Sequence, residues 1–295
     1  MANDKWMKRV LDDREEMLPV DAGFEAKLKH ISGIKAVVFD IYGTLVISGS
    51  GDVGSVDTTV HSSLIRNAMD DLDITQFVET VPSAEMLKRI IQQLNLEREG
   101  PDCPKPEVDI VEAWRQVLAE CGWTGGVAKI ESIVRLATQY EASSNPTWPM
   151  PHASHLLTEL RAAGLLLGIV SNAQIFTPCL VKNLLNQSGL EGCGFNLDLC
   201  VFSNRYRQAK PGPRLFDVLR KGLLARDIRP NQAIYVGNDM LNDVWAASQA
   251  GLRTAWFTGD RRSCRLRRRD DRCQALRPDV VLTDLMQVPE CLQIS

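Results

Sequence analysis

The chain has 295 residues, 44% of them hydrophobic and 24% charged, which is enough to bury a large core as one big domain or two modest ones. Its 34 Lys and Arg against 37 Asp and Glu leave a formal net charge of -3, giving no electrostatic reason to expect nucleic-acid or membrane partners. No apolar run approaches a membrane span, and the opening "MANDKWMKRVLDDREEM" alternates charges without the apolar centre of an export signal. Eight cysteines without CxxC or CxxH spacing read as free thiols of a reducing compartment, so a cytoplasmic protein is expected.

In chain order, residues 1–33 read as an N-terminal extension of one or two amphipathic helices broken at Pro19 and Gly23. "KAVVFDIY" is a buried strand, rich in β-branched residues and stopped by Gly43. "SGSGDVGS" then suits a mobile connection. From Thr59 to Tyr140 the spacing is helical: "SAEMLKRIIQQLNLE" follows a serine N-cap, and "EVDIVEAWRQVLAEC" repeats the pattern. "NPTWPMP" holds too many prolines for regular structure and reads as a stiff hinge.

Beyond it, strands and helices alternate: helix "ASHLLTELRAAG", strand "LLLGIVSN", helix "TPCLVKNLLNQ", strand "DLCVFS", helix "GPRLFDVLRKGL", strand "AIYVGN", helix "DVWAASQAG", then strands "RTAWFT" and "DVVLTD". That alternation specifies an α/β fold, a Rossmann-like parallel sheet flanked by helices. Residues 34–47 and 149–295 then form the core domain, and 48–148 an all-helical domain with its hinges, inserted after the first strand.

In such sheets ligands bind at the carboxyl ends of the strands, so the residues there are the candidates. Asp40 ends the first strand and Ser171-Asn172 the second; Lys210 follows the third, and "GNDMLND" ends the fourth. Together they describe a coherent chemistry. Asp40 is a nucleophilic carboxylate, and Ser171 with the first amides of the next helix holds an anionic group. Lys210 neutralises charge on that group, while Asp239 and Asp243 are suited to hold Mg²⁺ opposite Asp40.

The order of these motifs resembles the haloacid dehalogenase (HAD) superfamily of hydrolases. "DIYGTL" stands for its DxDGT(L/V), "IVSN" for the strand ending in Ser or Thr, "KPGPRLF" for the lysine motif, and "GNDMLND" for the acidic pair. The resemblance implies that Asp40 forms an aspartyl intermediate, that the Tyr42 carbonyl binds Mg²⁺, and that Thr44 orients Asp40. It further implies that Gly43 permits the tight turn, that Ser171, Asn172 and Lys210 bind the transferred group, and that the inserted helices form a cap.

Two departures matter. Typical HAD phosphatases carry a second aspartate, the leaving-group acid, where this chain has Tyr42, and a phenol is a poor base at neutral pH. The sequence therefore suits a leaving group that needs no proton, or an acid supplied by the cap; HAD 2-haloacid dehalogenases share the tyrosine. In "GNDMLND", counting back from "AASQAG" fixes Asp243 as the second acid and leaves Asn238 and Asp239 as alternatives for the first metal ligand. The favoured expectation is Mg²⁺-dependent hydrolysis of a small phosphorylated metabolite. The alternatives are a metal-independent 2-haloacid dehalogenase or a non-catalytic HAD fold.

The remaining candidates read as structural. His152 and His155 suit capping and surface roles better than a metal pair, and Trp114 and Trp123 suit the core of the helical block. The basic run 261–272 is expected to be a solvated loop with local acid partners rather than a nucleic-acid site. His61 and Arg66 lie early in the block, where a substrate-selecting side chain would sit.

Overall fold

The computed structural model describes residues 14–49, 58–124 and 130–294. Its centre is a six-stranded sheet in the order β5-β4-β1-β6-β7-β8, every pair parallel. The strands are β1 (Ala36–Phe39), β4 (Leu166–Ser171), β5 (Phe195–Phe202), β6 (Ala233–Gly237), β7 (Arg253–Phe257) and β8 (Val280–Leu282). β1 is wholly buried because both faces are covered. Val37 and Phe39 pack with Ile169, Val236 and Val280 on one side; Ala36 and Val38 pack with Leu219 and Tyr235 on the other. That two-residue alternation is the strand pleat acting on a sequence apolar at every position.

Helices cover the sheet: α5 (Ala153–Ala162), α6 (Thr177–Leu184), α7 (Ser203–Tyr206), α8 (Arg214–Leu224), α9 (Ala246–Gln249), α10 (Asp271–Gln274) and α11 (Gln287–Leu292). From β1 the chain builds outward to β4 and β5, then returns to lay β6, β7 and β8 on the other flank. The direction of winding reverses at β1, and the carboxyl ends of strands at such a reversal border a ligand crevice.

Two short strands, β2 (Val46–Ser48) and β3 (Thr147–Pro149), form an antiparallel ribbon apart from this sheet. "NPTWPMP" is thus partly regular structure, against the sequence expectation. A two-stranded ribbon has two free edges, so a proline there removes no essential ladder bond. Between the ribbon strands lie α1 (Thr58–Asp71), α2 (Ala84–Arg98), α3 (Ile110–Glu120) and α4 (Ile130–Ser144). Ser83 caps α2 by accepting the Met86 amide, and Asp109 caps α3 by accepting that of Val111. Their apolar faces make a cluster of their own around Trp114, Ile65, Met69, Ile90 and Leu136, to which the α/β part contributes Phe176. Ser48 Oγ donates to Asn145 Oδ1 (2.8 Å) and the Gly49 amide to the Pro146 carbonyl (2.8 Å), fastening the two ribbon ends.

The described part of the N-terminal extension, residues 14–33, contains no helix, which corrects the helical expectation there; residues 1–13 lie outside the described residues. It runs as an extended strap instead. Lys27 exchanges two backbone hydrogen bonds with Val281, Phe24 stacks edge-on against Trp256 at 4.7 Å, and Val20 accepts from the Arg261 amide. Pairing to the open flank of β8 and its neighbours outweighs a weak amphipathic pattern. Among the described residues no helix is long and apolar enough to cross a membrane, and all eight cysteines are free.

Candidate active site

The order β4-β1-β6 brings Ser171 and Asn238 to the carboxyl edge on the strands either side of Asp40, each one residue past it in register. Asp40 still belongs to the ladder, since its amide donates to the Val236 carbonyl (2.9 Å). The turn after it is sharp. Gly43 has φ +80°, and a Cβ there would come within 2.2 Å of Asn238 Nδ2 and 2.3 Å of Ser263 Cβ. Only glycine fits both the conformation and the space.

Lys210 is the hub. Its ammonium, only 3% exposed, donates to Asp40 Oδ1 (2.8 Å), Asp243 Oδ1 (2.6 Å), Tyr235 Oη (2.9 Å) and the Val170 carbonyl (3.2 Å). Burial alone would lower its pKa, but Asp243 and Asp40 reverse that and hold the ammonium above its ordinary value. Burial pushes Asp243 up to about 7, with Lys210 opposing. Asp243 Oδ2 also accepts the Asp239 amide (2.9 Å), and Gly237 leaves it room, since a Cβ there would lie 2.5 Å from Asp243 Cγ. Buried carboxylates survive only with such partners.

The opposite flank is different. Asn238 donates Nδ2 to the Ser263 carbonyl (2.7 Å), which leaves its Oδ1 as the available acceptor. Asp239 is fully engaged. Its Oδ1 accepts the Leu241 and Asn242 amides (2.8 and 3.1 Å), and its Oδ2 accepts Asn242 Nδ2 (3.0 Å) and Arg267 Nε (3.0 Å). It caps the following helix and carries no free lone pair toward Asp40. That helix, Met240–Trp245, is wound as a π-helix before α9. The first residue past β6 is Asn238, with Asp239 next, at the N-cap of this helix.

Tyr42 places its hydroxyl 3.0 Å from Thr177 Oγ1, and burial, followed by nearby Glu141, raises its pKa further above the ordinary phenol value. It stays a protonated phenol whose hydroxyl meets Thr177. Thr44 is completely buried, yet its Oγ1 makes no hydrogen bond, so the expectation that it orients Asp40 is not met; Lys210 holds that carboxylate. Ser171 is fully buried at the end of β4. Asn172 turns its Oδ1 to the Lys210 amide (2.8 Å), so its side chain fixes the lysine loop instead of facing the cleft.

The other sequence candidates do not join this cluster. His152 pairs with Asp284 (3.1 Å) and His155 with Glu159 (3.7 Å). Trp114 is core, Arg66 is exposed, and His61 Nδ1 meets Tyr140 Oη at 2.6 Å. The basic run finds local acids, Arg262 with Asp260, Arg267 with Asp239 and Arg272 with Asp270. Through Ser263 it also reaches the Asp40 turn. Sequence reasoning missed Tyr235, Glu107, Arg14 and Glu141. Arg14 reaches Thr147 from the strap, and both Arg14 and Glu141 act electrostatically on Tyr42. None carries a local pattern that marks it.

A strand-end carboxylate held by a buried lysine and its paired acid agrees with a comparison against protein families, in which the model for haloacid dehalogenase-like hydrolases matches residues 34–251. The chain belongs to this family. Among curated relatives of this hydrolase, phosphoglycolate phosphatase of Escherichia coli (strain K12) is 28% identical over 229 residues, 76% of this chain and 81% of that one. A phosphoserine phosphatase of Thermus thermophilus is 34% identical over 106 residues, covering 36% of this chain and 39% of that one. The crystal structure of 2-haloacid dehalogenase from Pseudomonas syringae pv. Tomato DC3000 superposes with a TM-score of 0.53 at 21% identity, covering 88% of this chain and 97% of that chain; the likeness is one of fold.

Proposed function

We propose that this hydrolase cleaves a small phosphorylated metabolite with Mg²⁺, through a phosphoryl-aspartate on Asp40. The observation that carries the reading is the Lys210 ammonium shared between Asp40 and Asp243. It fixes one oxygen of Asp40 and leaves Oδ2 to attack, and it offers positive charge beside the group that Asp40 attacks. Ser171 and the amides that follow it would receive the phosphoryl oxygens. The phosphatase relatives at 27–28% identity over about three quarters of the chain support phosphoryl transfer as the reaction.

The donor set fits Mg²⁺. The Asp40 carboxylate, the Tyr42 carbonyl and Asn238 Oδ1 all offer oxygen, as this hard cation requires, although only one of them carries charge. Among the described residues no group of three or more His, Cys, Asp or Glu is arranged to hold a metal ion. Binding is therefore expected to be weaker than in a site with two carboxylates. When bound, Mg²⁺ supplies charge neutralisation between the nucleophile and the transferred group. Asp239 is left out of the set because Arg267 and the helix amides hold it, and Asp243 because its oxygens hold Lys210 and an amide. The helices of residues 48–148 act as the cap over this edge, hinged at the β2–β3 ribbon.

A second reading rests on Tyr42. With a neutral phenol tied to Thr177 where the leaving-group acid would stand, the site also suits halide loss from a 2-haloacid. A panel of phosphate esters and 2-haloacids, assayed with Mg²⁺ and with chelator, separates the two. Mg²⁺-dependent phosphate release supports the proposal; metal-independent halide release from 2-chloropropionate would overturn it.

A further inference from the structure

Glu107 lies in "GPDCPKPEVD", the proline-rich segment between α2 and α3. This segment is a second attachment between the helical block and the α/β part. The Ala209 amide donates to the Lys105 carbonyl (2.8 Å), the Glu107 amide to the Arg207 carbonyl (3.2 Å), and Arg207 pairs with Asp109 (3.0 Å).

At this seam the Glu107 carboxylate receives two donors. Ser203 Oγ donates to Oε2 (2.7 Å) and Gln174 Nε2 to Oε1 (3.2 Å). Ser203, fully buried at the start of α7, in turn accepts the Ala173 amide (2.9 Å). Gln174 is gripped again by the block: its Nε2 donates to the Val108 carbonyl (3.0 Å), and its Oε1 accepts the Ile110 amide (3.1 Å). The Gln174 amide reaches Thr177 Oγ1 (3.1 Å), the atom that Tyr42 also meets. The loop that follows Ser171 is thus held from above by one carboxylate and the backbone beside it.

That carboxylate is expensive to keep. Burial pushes Glu107 up to about 7, against the Ser203 and Val108 hydrogen bonds and the nearby charges of Lys105 and Arg207. It is also badly placed for proton transfer, because Ser203 follows β5, two strands and about 10 Å from β1. Its contacts all lead to the loop instead.

We propose that Glu107 is a positioning residue that couples the seating of the helical block to the conformation of residues 172–177. The proposal rests on the anion-binding role assigned above to Ser171 and the amides after it. With Glu107 in place, the Ser203 hydroxyl proton is committed to Oε2 and its lone pair to the Ala173 amide. Without it, the hydroxyl turns to its other acceptor, the Ala173 carbonyl (3.3 Å), and Gln174 loses one of its two contacts from Nε2. The loop loosens, and binding of the anion suffers more than the chemistry.

The test uses the full chain with Mg²⁺ and three readouts: inorganic phosphate affinity by calorimetry, KM and kcat on nitrophenyl phosphate, and hydrogen exchange of the 172–177 peptide. Glu107→Ala is expected to weaken phosphate binding and raise KM roughly tenfold, to change kcat less than about threefold, and to raise exchange in that peptide. Glu107→Gln keeps one acceptor for Ser203 and should fall between wild type and alanine. Unchanged affinity and exchange in the alanine variant would overturn the proposal, as would a loss confined to kcat. If alanine lowers exchange protection throughout the chain, glutamine decides: an intermediate phosphate affinity supports coupling, and wild-type values in both readouts overturn it. Altered loop exchange in a protein that binds no phosphate even as wild type would uphold the coupling and sink the anion-site reading instead.

Discussion

The two flanks of Asp40 are built on opposite principles. On one, Lys210 is buried and saturated between Val170 of β4 and Tyr235 of β6, and its charge balances Asp40 and Asp243 at short range. On the other, the residue that meets the Asp40 turn is the neutral Asn238, and the neighbouring Asp239 is drawn off by Arg267 and by helix amides. The first flank concentrates charge on Asp40. The second presents oxygen atoms with little charge beside the Asp40 turn.

The largest expected effect breaks the first flank. Lys210→Met leaves two carboxylates buried without their cation, so stability should fall by about 3–5 kcal/mol in denaturant titration and kcat by about 10³ or more. A loss under 1 kcal/mol would mean that the ammonium is not the keystone of the cluster. Next comes the proton that this site lacks. Tyr42→Asp should raise turnover of alkyl phosphates about 10²–10⁴-fold, and far less for nitrophenyl phosphate, whose leaving group needs no acid. Equal gains on both would place the acid elsewhere, in the cap.

The second flank is sharpened by restoring its charge. Asn238→Asp should tighten Mg²⁺ binding by about tenfold in calorimetry, because affinity for hard cations follows the number of charged oxygens. Arg267→Met, which only releases Asp239, should change that affinity less than about threefold. If the arginine variant gains more than the asparagine one, Asp239 is the metal ligand.

Much of this contrast was legible before any fold was known. Asp40 and Ser171 are marked by apolar runs that end in a polar residue, Lys210 and Asp243 follow the next two strands, and in a parallel sheet such ends converge. Asn238 and Asp239 could not be separated, because both follow β6 directly and only the folded chain shows Arg267 and the helix amides engaging Asp239. The strap was misread because an amphipathic pattern yields to pairing along the β8 flank, which only tertiary structure provides. Glu107 was invisible for the same reason, its partner Ser203 lying 96 residues away.

A further effect concerns that glutamate and pH. Glu107 sits higher in the fold, at about 7, than its ordinary carboxylate value, so the folded state holds its proton longer than the unfolded chain does. Its contribution is fully present below about 4.5 and is lost as pH rises through about 7. Lys105 and Arg207 are the charged groups facing it, and both limit the loss. Glu107→Gln removes the titration, so its stability relative to wild type should improve by about 1–3 kcal/mol between pH 5 and pH 8. A difference that stays flat across that range would show that the carboxylate is well solvated.

The central claim is that Asp40 becomes phosphorylated. Acid quenching during turnover with Mg²⁺ and nitrophenyl phosphate, followed by mass analysis of the peptide around Asp40, tests it directly. The account predicts a peptide heavier by one phosphoryl group in the wild type, with neither that species nor turnover in Asp40→Asn. Sustained turnover by Asp40→Asn, or a phosphoryl group found on another residue, would contradict it.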